Sequence, residues 1–372
     1  MAKPPTTSGP AAPTERNHYI DFLRAFSLLV VVAWHWVFTI VLWQDDGPHA
    51  TSPIGFTTGL WMATWLLQVM PLFFYVGGYS HLVAWQKARA NGESIWRFVW
   101  HRLRRLAVPA LALLIVWIGA GIALGAIFNL KWIGRGVLLV VSPLWFMGVY
   151  LMLVALLPVF LWLHERWDSI VLVFLAAAAG TVDILRFRYD LEWLGIINMI
   201  FVWGLCHQLG FFYNRIVAAP RRTDWTFLWA GLAALAGLVA SGIYPGSMVG
   251  VPGERSNMAP PTLCIVALVI FQLGFAEVIR PAMEARLTRP RWERASNTIN
   301  RFSMPLFLFH TTGLAMYLGL RYVVAGRNEV RTPTAGWWLT RPFAFIGPLL
   351  LTLPVIYLFG RQWVRKPRAV RS

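Results

Sequence analysis

Long apolar stretches, broken by short polar and basic segments, recur along the whole chain. Ten are long enough to cross a membrane as helices, over 19–43, 59–85, 106–128, 138–163, 169–185, 193–213, 225–243, 262–279, 302–322 and 342–360. A helix rises about 1.5 Å per residue, so roughly 17–25 apolar residues span the ~30 Å hydrocarbon core. The fourth run is overlong, and Ser142-Pro143 within it marks the expected start of its helix. Gly180 interrupts the fifth, the shortest. No repeat with a period of roughly 20–50 residues is visible.

The basic residues set the orientation. With the N-terminus inside, the cytoplasmic segments hold 23 Lys and Arg and the outer segments 9, with Arg24 inside the first run. Cytoplasmic loops retain positive charge, so this bias favours both termini inside. The sequence predicts an all-α integral membrane protein, a bundle of about ten transmembrane helices with both termini cytoplasmic. A disordered tail is expected over 1–16, the transmembrane domain over 17–362, and a basic cytoplasmic tail over 363–372. The N-terminus lacks the basic-then-apolar order of a signal peptide, which makes the first run an uncleaved span.

Composition agrees. Of 372 residues, 58% are hydrophobic and 13% charged, against about 25% charged in a soluble domain. The net charge of +17 lies between apolar runs, where it faces anionic lipid and an anionic ligand. No separate soluble domain offers a nucleic-acid surface. Cys206 and Cys264 both lie in apolar runs and are expected as reduced thiols. P-loop, dinucleotide, HExxH and paired-cysteine patterns are absent, so no metal is expected.

Candidate chemistry starts in the first run, YIDFLRAFSLLVVVAWHW, which carries Asp21, Arg24 and His35. Arg24 and His35 are eleven residues apart. At about 100° per residue that is three turns plus ~20°, which puts both on nearly one helix face, about 16 Å apart along the axis. An ionisable side chain at that depth costs on the order of 3 kcal/mol and marks a functional site. As a general base, His35 would take the proton of a hydroxyl attacking a carbonyl; its competing role is a helix–helix hydrogen bond. Arg24 would steady developing charge or hold a phosphate, against a plain pairing with Asp21. Arg102 and Arg105, three apart, share a face that can grip a polyphosphate, against simple anchoring at the membrane surface.

Trp145, Phe146 and Tyr150 read as an interfacial aromatic belt or as a platform for a sugar face. His310 and His207 lie deep in apolar runs and either position a ligand or satisfy a helix contact. Gly77-Gly78 allows close helix approach, His81 is expected at the interface, and Pro109 is expected to open or bend its helix. Asp183 and Glu277 sit too near the ends of their runs for a proton relay.

These pieces together resemble acyltransferase family 3, integral-membrane enzymes that acylate surface carbohydrates and envelope lipids. YIDFLRAFSLLVVVAWH is similar to the family's first-span signature, an Arg, ten residues and a His, met by Arg24 and His35. PLFFYVGGYS resembles the second-span motif, with Gly77 where Ser is common. HRLRRLAVP resembles the R-x-x-R-x-x-x-P motif through Arg102, Arg105 and Pro109. SPLWFMGVYLMLVALLP and FLFH resemble two later motifs, through Trp145, Phe146, Pro158 and His310, with Phe307 in place of a Tyr. The resemblance covers about 16–360.

The resemblance implies a cytoplasmic acyl-CoA donor, acetyl-CoA in its short form, and a glycolipid or polysaccharide hydroxyl as acceptor. It implies His35 and Arg24 at the chemistry, Arg102 and Arg105 on the donor, and Trp145 and His310 on the substrate. Some members carry a soluble hydrolase-like domain that passes the acyl group on; this chain is expected to work alone or with a partner relay protein. The rival reading is a secondary transporter or lipid flippase that uses His35 and Arg24 for coupling, although no paired broken-helix repeat supports it. An inactive scaffold is a third.

Overall fold

The first apolar run does not stay helical to its end. In the computed structural model, which describes residues 16–129, 132–326 and 332–364, helix α1 covers His18–Phe38. Asn17 caps it, its side chain accepting from the Ile20 amide at 2.9 Å, which satisfies one of the free N–H groups of the first turn. At Thr39 the backbone turns extended, and the β-branched Ile40-Val41 open strand β1, Ile40–Gln44, paired antiparallel with β2, Gly47–Thr51. Asp45-Asp46 forms the turn, and Gly47 takes φ +124° against Trp132. This hairpin corrects the all-helical reading of 19–43: turn chemistry won over apolar length.

Helices follow in order: α2 Met70–Ala90, α3 Ile95–Phe128, α4 Ile133–Val141, α5 Leu144–Ala155, α6 Leu157–Trp167, α7 Ile170–Tyr189, α8 Gly195–Leu209, α9 Arg221–Ala240, α10 Leu263–Leu287, α11 Pro290–Ala325, α12 Ala335–Ala344 and α13 Ile346–Val355. Among the described residues, eight helical stretches are long and apolar enough to span, and nine if α4 and α5, bent by 42° at Ser142-Pro143, form one crossing. Ten is reached only by adding α11, whose centre is diluted by His310, Thr311, Thr312 and Gly313. Gly180 does not break α7, and Pro109 lies inside α3 rather than opening it. The expected tails lie outside the described residues, save Arg16, Trp363 and Val364.

Small residues bring the helices together. Any Cβ on Gly78 of α2 would collide with the His207 carbonyl of α8, and one on Gly210 with the backbone at Tyr75 and Tyr79. Gly231 of α9 and Gly274 of α10 meet each other's helix backbones in the same way. Such close approach is what drives association where lipid removes the hydrophobic advantage of burial. The centre is filled by Phe74, Tyr75, Trp203, Leu153 and Leu268, all fully buried. The outer face of α3 instead exposes Ile115, Ile122 and Ile127 at 69–71%, a surface that suits acyl chains and not water. α1 and α11 run parallel, since Asn300 donates to the Asp21 carbonyl at 2.7 Å and Trp36 to the His310 carbonyl at 2.8 Å.

Gly78→Val should therefore cost more than the 1–3 kcal/mol typical of overpacking, about 3 kcal/mol or more, because backbone rather than a side chain must move. Gly119→Ala, with open space around it, should leave stability unchanged. Thermal unfolding of the two variants in detergent, followed by size exclusion, checks this.

Candidate active site

Two histidines from distant parts of the chain meet inside the bundle. His35 Nδ1 and His310 Nε2 lie 2.8 Å apart, with the rings within 10° of parallel. His310 Nδ1 lies 2.7 Å from the Phe307 carbonyl. A carbonyl can only accept, so the His310 proton sits on Nδ1 and its Nε2 is a lone pair. His35 must then donate from Nδ1, which leaves the lone pair of His35 Nε2 unused. Thr39 donates to the His35 carbonyl at 2.6 Å and Trp36 ties α1 to α11 one residue away, so the dyad is fixed from both helices.

His35 lines a cavity of about 480 Å³. Val31, Trp34 and Phe38 of α1 share its wall with Trp145 and Phe146 of α5 and Phe307 of α11. The β2 strand and the loop at Val249–Pro252 form the rim. The loop is held by Trp65 Nε1 on the Gly246 carbonyl at 2.9 Å and Gln68 on the Met248 carbonyl at 3.2 Å. Asp46 at the hairpin tip binds Arg135 and, at 2.6 Å, His49. The His49 hydrogen bond, with Arg135 acting in the same sense, holds the Asp46 carboxyl below its ordinary value. His310 is fully buried behind His35 and does not line the cavity. Trp145 does, and so departs from the lipid-belt reading.

The basic residues gather at the opposite end. Arg24 donates to Asp21 at 3.0 Å and to Ser80 of α2 at 2.5 Å, and Ser80 in turn donates to the Val76 carbonyl. Arg102 stacks on Phe98, 4.0 Å from the ring centre, and Arg105 on the same face of α3 is exposed. Neither these nor Arg24 line the cavity. Between the two ends lies an aromatic layer: Phe146 meets Phe307 edge-on at 5.4 Å and Phe73 at 5.1 Å. Val31 and Phe307 each sit one helical turn nearer the basic end than the histidine they precede.

A second histidine pair escaped the sequence reading. His81, expected at the interface, is buried, its Nδ1 2.9 Å from His207 Nε2 and its Nε2 3.3 Å from the Tyr150 hydroxyl. Tyr150 lies flush on Gly77, where a Cβ would come within 3.1 Å of its ring. The clue available in the sequence was two further histidines at apolar positions of α2 and α8; their pairing needed the fold. Asp183 is a structural anchor, accepting from Asn198, Tyr244 and the Leu263 amide at 2.9, 3.2 and 2.7 Å. Among the described residues no cluster of three or more His, Cys, Asp or Glu is placed to hold a metal ion.

The family model Acyl_transf_3, described as an acyltransferase domain, matches residues 17–361. No curated protein and no solved structure matches the chain.

The tautomers can be read directly. In 15N-histidine-labelled protein, His35 and His310 should both carry their proton on Nδ1, the less common neutral form. In His310→Phe the His35 proton should redistribute toward Nε2. A His35 protonated on Nε2 in the unsubstituted chain would contradict the assignment.

Proposed function

This chain belongs to the acyltransferase 3 family, and from that we propose that it is a membrane-bound O-acyltransferase moving a short acyl group, acetyl in the simplest case, from cytoplasmic acyl-CoA to a hydroxyl of a cell-envelope carbohydrate or glycolipid. The observation that carries this reading is the unused lone pair of His35 Nε2 at a ligand-sized cavity. We take the basic end as cytoplasmic, the hairpin end as extracytoplasmic, α11 as the tenth crossing, and the membrane as the bacterial inner membrane.

His35 Nε2 takes the proton of the acceptor hydroxyl as its oxygen attacks the thioester carbonyl. The carbon–oxygen bond forms, the carbon–sulfur bond breaks, and the proton passes to the departing CoA thiolate. The positive charge on His35 is shared through its Nδ1–H with His310 and onward to the Phe307 carbonyl. The pair thus does the orienting that a carboxylate does in a catalytic triad, without burying a negative charge. General-base action of this kind is worth about 10²–10⁴ in rate.

Arg102 and Arg105 hold the donor's phosphates as charge-assisted contacts at the mouth. From there the pantetheine arm runs toward His35, along a path comparable to the ~16 Å rise between Arg24 and His35. Arg24 is pre-oriented by Asp21 and Ser80 and steadies the donor on that path. The aromatic layer has to open for the thioester to reach the base. A separate relay protein is a partner the reading accommodates but does not require.

His35→Ala should lower acyl transfer by about 10²-fold or more while the purified chain keeps its elution profile. Arg102→Ala with Arg105→Ala should raise the KM for acyl-CoA about tenfold with a smaller change in kcat, and flatten its salt dependence. Initial rates with labelled acetyl-CoA in membranes check both. A His35→Ala chain with most of its activity would remove the proposed base, and solute uptake without CoA release would favour a transporter.

A further inference from the structure

The inference concerns what the cavity admits, and it rests on the acyltransferase reading above. Among the described residues, no Asp, Glu, Lys or Arg lines the cavity; His35 is its one ionisable side chain. The basic residues that would neutralise an anion lie beyond the aromatic layer, at the other end of the bundle. On the hairpin side Arg135 is engaged by Asp46, Arg341 donates to the Val37 and Trp337 carbonyls, and neither is part of the lining.

The neutral polar groups suit a hydroxylated guest, which both donates and accepts. Thr39 donates its hydroxyl proton to the His35 carbonyl at 2.6 Å, Thr64 to the Trp61 carbonyl at 2.5 Å and Ser142 to the Leu139 carbonyl at 3.2 Å. What remains for a guest is their lone pairs, of which Thr64 already commits one to the Met248 amide at 2.9 Å. The Gln68 amide nitrogen is taken by the Met248 carbonyl and the Met258 sulfur. His35 Nε2 is itself a lone pair. The wall therefore offers neutral acceptors and neutral donors, the latter from the Thr51 and Ser52 hydroxyls and the indole N–H groups of Trp34 and Trp145, together with the two indole faces. Such a wall binds groups that bring O–H donors and an apolar face. A carboxylate or phosphate brings only acceptors and a charge, and burying that charge without a counter-ion is unfavourable.

We propose that the cavity over His35 selects an uncharged, polyhydroxylated acceptor group, a neutral sugar, and rejects anionic sugars. If the acceptor is carried on a lipid phosphate, that phosphate stays outside the rim. The cavity volume, at the small-ligand scale, admits one end of a saccharide and not a folded polymer.

The test uses the purified full chain in lipid nanodiscs with labelled acetyl-CoA and two acceptors, methyl glucoside and methyl glucuronoside, which differ only in a carboxylate at C6. The glucoside should be acetylated about tenfold faster or more. Ser52→Lys, which places a cation on the cavity wall, should narrow that ratio at least about threefold; Ala50→Lys supplies the same charge from the neighbouring strand should the first variant fail to fold. Equal rates, a preference for the glucuronoside, or a ratio that neither lysine moves would overturn the inference. Acetylation of neither glycoside, with envelope material still acetylated, would also overturn it and leave the enzyme reading standing. Absence of thioester-dependent transfer to any acceptor would overturn the enzyme reading itself.

Discussion

The hydrogen bond between His35 and His310 is the contact on which the site depends. It joins α1 to α11 at depth in the bundle, and it decides which nitrogen of His35 carries the proton and which keeps its lone pair. Imidazole is unusual in being able to pass this information along: a donor on one side forces an acceptor on the other. The backbone carbonyl of Phe307 starts the chain of constraints, and the cavity is where it ends. A carboxylate in the place of His310 would fix the same tautomer while adding a charge that lipid tolerates poorly.

The rest of the architecture serves that placement. Glycine contacts bring α2 against α8 and α9 against α10, and the resulting frame holds the cavity walls apart while the interior stays filled. The bend at Ser142-Pro143 turns Trp145 and Phe146 inward. The hairpin after α1 returns the chain over the cavity mouth, tied down by Asp46 with Arg135 and by Trp43 against Trp132. Polar recognition and apolar packing thus come from different segments, with α1 contributing to both.

Much of this was legible in the sequence. Run lengths predicted a multi-pass helical protein, whereas helical spacing put Arg24 and His35 on one face of α1 without showing that Arg24 meets Ser80 of α2 and His35 meets His310 of α11. The meeting of His35 with His310 was not legible, because spacing within one helix says nothing of which helix packs beside it. The same holds for His81 and His207, 126 residues apart. The hairpin was hidden because Ile, Val and Leu suit a membrane helix and a strand equally, and only Asp45-Asp46-Gly47 spoke for a turn. The belt reading of Trp145 and Phe146 failed for a related reason: an indole at the depth of the headgroups and one at a cavity wall look alike in one dimension.

The layer of Phe73, Phe146 and Phe307 carries a consequence for the cell that houses this protein. A passage open at both ends would let protons and sodium run down their electrochemical gradients, at a rate no single enzyme could justify. Three packed rings with no titratable atom among them offer an ion nothing to replace its water. Bioenergetic tightness and catalysis are thereby in tension here, and the rings' packing holds the balance between them.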